Sequence, residues 1–218
     1  VERDIKEQVW KEIQKEDSKV YEKVLQDFQL PLSVLLDYMI YNRSKEIINV
    51  ITTNYDRIVE YAISQTKAYL NTFYTNKPIG SFDQPLLKRH YSDNYIGCVN
   101  VLKVHGSLDW FEKDGNLYSF VNSRNIPENY QPCIITPGTN KYEKVSQLPY
   151  RSLLEQVDNV FKDTSGFLCI GYGFNDKHIH PYLLNYAEKK KITILIVTKD
   201  LTDTIKNGVM IKNKYPYI

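Results

Sequence analysis

The fold of this chain is decided by residues 47–64, which read IINVITTNYDRIVEYAIS. Residues 47–51 are β-branched and apolar with one exception, and this composition predicts a short buried strand. Over residues 55–64 the apolar side chains return at helical spacing. The stretch therefore predicts a strand–turn–helix unit, with the polar segment Thr52–Asn54 at the carboxyl end of the strand.

The rest of the chain extends this unit in both directions. Residues 1–45 show apolar side chains at helical spacing, are interrupted by Pro31, and contain no glycine. Downstream, strand patterns cover residues 99–104, 167–170 and 192–197, and helix patterns cover residues 150–162 and 176–189. Such alternation predicts an α/β fold with a Rossmann-like parallel sheet that has helices on both faces.

The chain is predicted to form one domain, with a helical segment at residues 1–45 and a Rossmann-like core at residues 46–200. Two stretches rich in turn residues, 66–97 and 111–149, are predicted to be loop-rich insertions into this core. Within the second stretch, Asp114-Gly115 predicts a tight hairpin turn.

Composition limits the classes of function. The 218 residues carry 28 Lys and Arg against 26 Asp and Glu, a net charge of +2 that gives no signal for nucleic acid or for a membrane surface. The three cysteines, Cys98, Cys133 and Cys169, are far apart in sequence. This dispersion predicts neither a disulfide framework, nor a zinc ribbon, nor any other bound metal, and it fits a cytoplasmic protein.

Polar or glycine-rich clusters follow the predicted strands at residues 52–56, 105–110, 171–176 and 198–200. In an open α/β sheet, ligands bind beyond the carboxyl ends of the strands, so these clusters predict a common ligand site. Each cluster also has a local explanation. Asn54 and Asp56 could cap the following helix, His105 could be a hydrogen-bonded turn residue, and the glycines could serve only to turn the chain.

Three of these clusters together resemble the sirtuin-like (silent information regulator) family. The residues that carry the resemblance are Ile51–Asp56, Lys103–Trp110 and Gly171–Ile179, in the family's order and framing roughly residues 45 to 200. The match is closest to a bacterial branch whose members resemble NAD hydrolases of antiphage defence. The resemblance implies that this chain is an NAD hydrolase (NADase), which releases nicotinamide and ADP-ribose from NAD.

The resemblance also implies roles for individual residues. Asn54 and Asp56 are expected beside the nicotinamide ribose, and His105 is expected to be the catalytic base. Other residues of the same clusters are expected to bind NAD: Thr52, Thr53, Gly106, Ser107, Gly171, Tyr172, Gly173, Asn175, Asp176 and Thr198.

The chain departs from the family pattern in ways that bear on its activity. A glycine-rich Gly-Ala-Gly loop, which in the family covers the pyrophosphate, does not precede residue 47. We therefore expect the chain to lack its first strand and this loop, and to hydrolyse NAD weakly or not at all by itself. The cysteine pairs of the protein-deacylating sirtuins are absent, and the interval between Asn54 and His105 is longer than in those enzymes. Both features favour a hydrolase over a deacylase.

Two other functions remain open at this point: an NAD-dependent protein deacylase or ADP-ribosyltransferase, and a module that senses NAD without cleaving it. An unrestrained NADase would drain its own cell, so a regulatory protein partner or a homo-oligomer is also expected.

Overall fold

The computed structural model describes residues 2–42, 47–75, 77–83, 95–136 and 147–210. The chain forms two compact units, residues 1–154 and residues 155–218. None of the described helices is long and apolar enough to cross a membrane.

The N-terminal segment of the first unit is helical, as predicted. Helix α1 runs from Glu2 to Leu25 without a break, since neither proline nor glycine interrupts it, and α2 runs from Pro31 to Asn42. Pro31 occupies the first turn of α2, where the missing N–H of proline costs no hydrogen bond.

A three-stranded parallel sheet, in the order β1-β4-β2, forms the centre of the first unit. Its strands are β1 (Ile47–Thr52), β2 (Ala68–Asn71) and β4 (Gly97–Lys103). Strand β2 lies inside the segment that the sequence predicts as an insertion, and it pairs in parallel with β4. Helix α3 (Ile58–Ser64) follows β1, so the predicted strand–turn–helix unit is confirmed.

The two faces of this sheet differ in chemistry. Helices α2 and α3 pack on one face, where Leu36 and Ile40 join Ile48, Val99 and Val101 in a buried apolar cluster. On the opposite face, three asparagines in register form a ladder. The Asn71 amide donates to Asn100, and the Asn100 amide donates to Asn49, each at 2.9 Å. Because each rung needs its partner directly opposite, the ladder specifies the pairing register of all three strands.

A four-stranded antiparallel sheet, in the order β3-β6-β5-β7, completes the first unit. Its strands are β3 (Ile79–Ser81), β5 (Gly106–Lys113), β6 (Asn116–Phe120) and β7 (Gln131–Ile134). The predicted hairpin turn at Asp114-Gly115 is confirmed, with both residues at positive φ between β5 and β6. The sequence did not predict the sheet, because β5 buries side chains on both faces and so lacks the polar–apolar alternation of a half-buried strand.

The second unit returns to alternating helices and strands. Helix α4 (Tyr150–Asp163) crosses the boundary between the units. It is followed by β8 (Gly166–Ile170), α5 (His180–Lys190), β9 (Thr193–Val197) and a π-helical segment at Thr204–Met210. Strands β8 and β9 pair in parallel, and four aliphatic side chains on one face of the pair are 38% to 51% exposed: Leu168, Ile170, Leu195 and Val197.

Candidate active site

The first two polar clusters occupy equivalent positions on neighbouring strands. Strands β1 and β4 pair in parallel and in register from Ile47↔Cys98 to Thr52↔Lys103. Asn54 and His105 therefore each lie two residues beyond the last pair, at the same edge of the sheet. This is the edge where ligands bind in open α/β sheets.

Backbone hydrogen bonds continue between the two clusters after the strands end. The Val104 N–H donates to the Thr52 carbonyl at 3.1 Å, and the Leu108 N–H donates to the Tyr55 carbonyl at 2.9 Å. Asn54 lies between the two acceptors in sequence, and His105 lies between the two donors. The segments that carry them are thus tied together at both ends.

A buried lysine strengthens this connection. Lys103, at the end of β4, is 1% exposed. Its ammonium donates to the Asp56 backbone carbonyl and forms a 2.8 Å ion pair with Glu60 of α3. The positive charge is therefore neutralised where it is buried, as a buried charge requires, and β4 is joined directly to the Asn54–Asp56 segment.

A buried arginine connects the first cluster to α1 and to β5. Arg57 directly follows Asp56 and is 2% exposed. Its guanidinium pairs with Asp17 of α1 at 2.6 Å and with Asp109 of β5 at 2.9 Å. No role was predicted for Asp17, Arg57 or Lys103, because a charged residue on a helix or at a strand end is usually solvated.

Arg57 lies between two carboxylates, Asp17 and Asp109, so these three groups together carry one more negative than positive charge. Burial raises the pKa of the Asp109 carboxyl to about 6, although the Arg57 charge and hydrogen bond act in the opposite direction. The pKa of Arg57 is raised as well, because attraction to Asp109 and hydrogen bonding to Asp17 outweigh the effect of its burial.

This raised pKa makes Asp109 a source of pH-dependent stability. Between the ordinary pKa of 3.8 and about 6, the folded state binds more protons at Asp109 than the unfolded state does. Stability therefore falls as pH rises through this range. We predict that Asp109→Asn removes this loss, so that from about pH 4 to about pH 7 the variant gains about 2 kcal/mol in free energy of unfolding relative to the unmodified chain. Urea unfolding at both pH values measures the difference, and a difference that does not change with pH would contradict the assignment.

The side chains of the first cluster have distinct surroundings. Asn54 is exposed, and none of the described residues makes a hydrogen bond to its side chain, whereas its N–H donates to Thr52 Oγ1 at 3.1 Å. Asp56 Oδ1 accepts the Ile58 N–H at the start of α3. The Asp56 bond closes a turn ahead of α3, whose N-cap is Arg57 and has no side-chain capping bond, so neither Asn54 nor Asp56 is the N-cap of this helix. Thr53 is half-buried beside them.

The second cluster is more deeply buried. His105 is 9% exposed, and its backbone carbonyl accepts the Ile135 N–H at 2.9 Å. Ser107 is 1% exposed, and its hydroxyl accepts the Asp109 N–H at 3.3 Å. Gly106 has φ +98° and lies against β7. Gly106 and Ser107, which the resemblance assigns to NAD binding, thus also have structural roles in the turn from β4 into β5.

The third cluster lies in the second unit. Gly171 has φ +60°, and its N–H donates to the Val197 carbonyl at 2.8 Å, which extends the pairing of β8 with β9. Tyr172 packs against Phe174, with ring centroids 4.8 Å apart, and burial raises the pKa of the Tyr172 hydroxyl. Gly173 follows it and is half-buried. The Tyr172 hydroxyl has no hydrogen-bond partner among the described residues.

The end of the third cluster differs from the prediction. The sequence places the start of the helix at Asp176, but α5 begins at His180. The Asp176 carboxylate accepts the N–H groups of His178 and Ile179 at 2.8 and 3.0 Å, which forms a turn ahead of the helix. These two N–H groups, which a phosphate could otherwise bind, are therefore already occupied.

Two further side chains of the second unit were assigned to NAD binding. Asn175 is exposed, and its Oδ1 accepts a hydrogen bond from the Thr204 hydroxyl at 3.2 Å. Thr198, directly after β9, donates from its hydroxyl to the Asp200 carbonyl at 3.0 Å. Both side chains thus stabilise turns that follow the strands of this unit.

The chemistry of possible metal ligands is limited in the described part of the chain. Cys98, Cys133 and Cys169 are buried free thiols, and burial raises the pKa of each. Among the described residues, no group of three or more His, Cys, Asp or Glu side chains is placed to hold a metal ion.

Residues 48–204 match the model of the SIR2-like domain family. No curated protein matches the chain. Among solved structures, the chain is similar to one from the study "Structural Basis for the Mechanism and Regulation of Sir2 Enzymes", at 18% sequence identity and a TM-score of 0.42. The similarity covers 72% of this chain and 52% of the solved one, so the chain spans about half the length of that structure.

Proposed function

Because the chain belongs to the SIR2-like domain family, an NAD-related enzyme family, we propose that it is an NADase, which cleaves the bond between nicotinamide and ribose with water. The observation that carries this proposal is the shared register of Asn54 and His105. Each lies two residues past the Thr52↔Lys103 pair, on segments that are hydrogen-bonded to each other.

The reaction demands little acid catalysis. Nicotinamide is attached to ribose as a cation and leaves as a neutral molecule, taking the electron pair of the broken bond. Positive charge then develops on the ribose, as in other oxocarbenium-like transition states. An enzyme for this step must orient the ribose, stabilise the developing charge and deliver a water molecule to the ribose carbon.

The first-unit residues have the chemistry for these tasks. The Asn54 side chain has a donor and an acceptor, and both are open to a ligand, since no described residue binds them. It orients water and the nicotinamide amide in our proposal. The Asp56 carboxylate stabilises positive charge on the ribose. His105 takes the proton of the attacking water, because a nitrogen of a neutral imidazole accepts a proton.

The second unit, taken by itself, carries further residues that the family resemblance links to NAD. We assign the ribose and phosphate region of NAD to the Gly171–Asp176 segment and to Thr198. Gly171 has open space where a Cβ would stand, so the backbone offers room for a ligand. Since Asp176 occupies two N–H groups, phosphate binding there relies on the remaining backbone groups of the segment.

The proposal also covers the biological role of the chain. By resemblance to the bacterial hydrolase branch, we propose that the chain acts as an effector of antiphage defence and that a protein partner or self-association restrains it. A deacylase or ADP-ribosyltransferase would need an acceptor besides water, and an NAD sensor would bind without turnover. Product analysis therefore separates the three functions.

We predict that Asn54→Ala abolishes nicotinamide release from NAD and changes the free energy of unfolding by less than about 0.5 kcal/mol. The small effect on stability follows because the side chain caps no helix and makes no hydrogen bond within the described residues, as for most exposed substitutions. Chromatographic measurement of nicotinamide, together with urea unfolding, checks both parts.

Asn125→Ala is the matched control, since Asn125 is an exposed asparagine in a loop of the same unit. It should retain full activity. If Asn54→Ala retained full activity and lost about 0.5–2 kcal/mol of stability, the side chain would be a helix cap and not part of the active site.

A further inference from the structure

Helix α1 reaches both halves of the candidate site through buried polar contacts. Asp17 and Trp10 lie on one face of this helix, seven residues or about 10.5 Å apart along its axis. Asp17 contacts the segment that follows β1, and Trp10 contacts the segment that follows β4.

The Asp17 carboxylate is fully buried and accepts four hydrogen bonds. Three come from Arg57: its backbone N–H at 2.7 Å, its Nε at 2.9 Å and its Nη2 at 2.6 Å. The fourth comes from the Tyr61 hydroxyl at 2.7 Å. One carboxylate thus fixes both the backbone and the side chain of the residue after Asp56.

Arg57 also binds the second cluster, so the position of Asp17 affects both clusters. Its Nη1 donates to Asp109 at 2.9 Å and to the Ser123 carbonyl at 3.1 Å. Independently, the Trp10 indole N–H donates to the Leu108 carbonyl at 2.9 Å, and the Leu108 N–H donates to Tyr55. Apart from Tyr61 and Ser123, the residues that these bonds join to α1 or to each other lie close to the two candidate catalytic residues. Tyr55 and Arg57 are within three residues of Asn54, and Leu108 and Asp109 are within four residues of His105.

Anchoring a helix does not require buried charge. Well-packed apolar side chains usually stabilise a helix as well as or better than a buried ion pair does. What a network of directed hydrogen bonds adds is geometry, because each bond specifies an orientation as well as a contact.

We propose that α1 is a positioning element of the active site, in which Asp17, acting through Arg57, holds the Asn54–Asp56 segment against the His105 segment in the geometry that NAD cleavage requires. This inference rests on the proposed function. Asp17 is a positioning residue, since it acts through Arg57 and not on the substrate itself.

The test compares Asp17→Asn with the unmodified chain. The variant keeps the shape of the side chain but loses its charge, so Arg57 is held less firmly. The proposal predicts that kcat for nicotinamide release, per folded molecule, falls about 10- to 100-fold, since a misplacement of about 1 Å can have an effect of that size. The KM for NAD should change far less. Glu22→Gln is the control, because Glu22 lies on the same helix in an exposed ion pair with Arg124, and its kcat should not change.

Amide hydrogen exchange provides a second readout that needs no NAD. Asp17→Asn should raise exchange selectively at Val104 and Leu108, whose N–H groups join the two segments, relative to the β5–β6 hairpin. An unchanged kcat per folded molecule, or an exchange increase that is equal at all these amides, would overturn the positioning role. If the unmodified chain did not cleave NAD at all, the proposed function would fail, while selective exchange at Val104 and Leu108 would still support the mechanical coupling through α1.

Where Asp17→Asn does not fold, Trp10→Phe removes a single hydrogen bond from the same helix and keeps an aromatic ring in place. It should produce a smaller decrease in kcat with the same selective exchange at Leu108. A folded Trp10→Phe variant with unchanged kcat and unchanged exchange at Leu108 would overturn the proposal.

Discussion

Replacement of His105 by alanine is expected to lower the rate of NAD cleavage about 10²- to 10⁴-fold, the usual contribution of a general base. The expectation follows from the position of His105 beside the Asn54 segment at the carboxyl edge of the parallel sheet. Without the imidazole, no group at this position takes the proton of the attacking water. The rate of nicotinamide release, measured at a temperature where the variant is fully folded, checks the effect.

A second substitution separates proton transfer from packing. His105 is 9% exposed, so its truncation also removes buried contacts and should cost about 1–3 kcal/mol of stability. His105→Gln keeps a polar side chain of similar reach that cannot act as a base near neutral pH. It should be nearly as inactive as His105→Ala and more stable. If the glutamine variant cleaved NAD at close to the original rate, His105 would be a structural residue.

Replacement of Gly106 by alanine is expected to cause the largest loss of stability, about 3–5 kcal/mol. Two features combine at this residue. Its φ of +98° is unfavourable for any residue with a side chain, and a Cβ would lie 1.9 Å from the Cys133 carbonyl oxygen of β7. Since the obstacle is backbone, β5 and β7 must separate to admit the methyl group. Denaturant unfolding measures the loss.

Gly115→Ala is the matched control for this substitution. Gly115 also has a positive φ, +76°, but no atom lies within 4 Å of the position of its Cβ. It should therefore suffer only the backbone strain of about 1–2 kcal/mol. Equal losses for the two variants would show that the contact with β7 is not what requires glycine at residue 106.

Local sequence signals were sufficient for much of the fold. The apolar, β-branched run of β1 and the helical spacing after it predicted the strand–turn–helix unit, and the Asp114-Gly115 pair predicted the β5–β6 hairpin. The same signals placed Asn54 and His105 after strands. That they lie side by side follows from the β1–β4 register, which depends on pairing across about fifty residues.

The network around Arg57 could not be predicted in this way. Asp17 is one of several charged residues on α1, and Glu16 directly before it is solvent-exposed. Its burial depends on Arg57, forty residues later, and on Asp109, still further along the chain. No local pattern distinguishes a carboxylate that meets such a partner from one that meets water. The start of α5 was predicted four residues too early for a related reason, since the Asp176 side chain competes for the N–H groups that would otherwise begin the helix.

The most direct test of the account is a product balance with NAD as the only substrate. The chain is incubated with NAD, and nicotinamide and ADP-ribose are quantified beside an identical incubation of the His105→Ala variant. The account predicts equal amounts of the two products from the unmodified chain, without any acyl-lysine peptide, and only background amounts from the variant. Cleavage that requires an acyl-lysine peptide, or NAD that is bound and recovered intact, would contradict it.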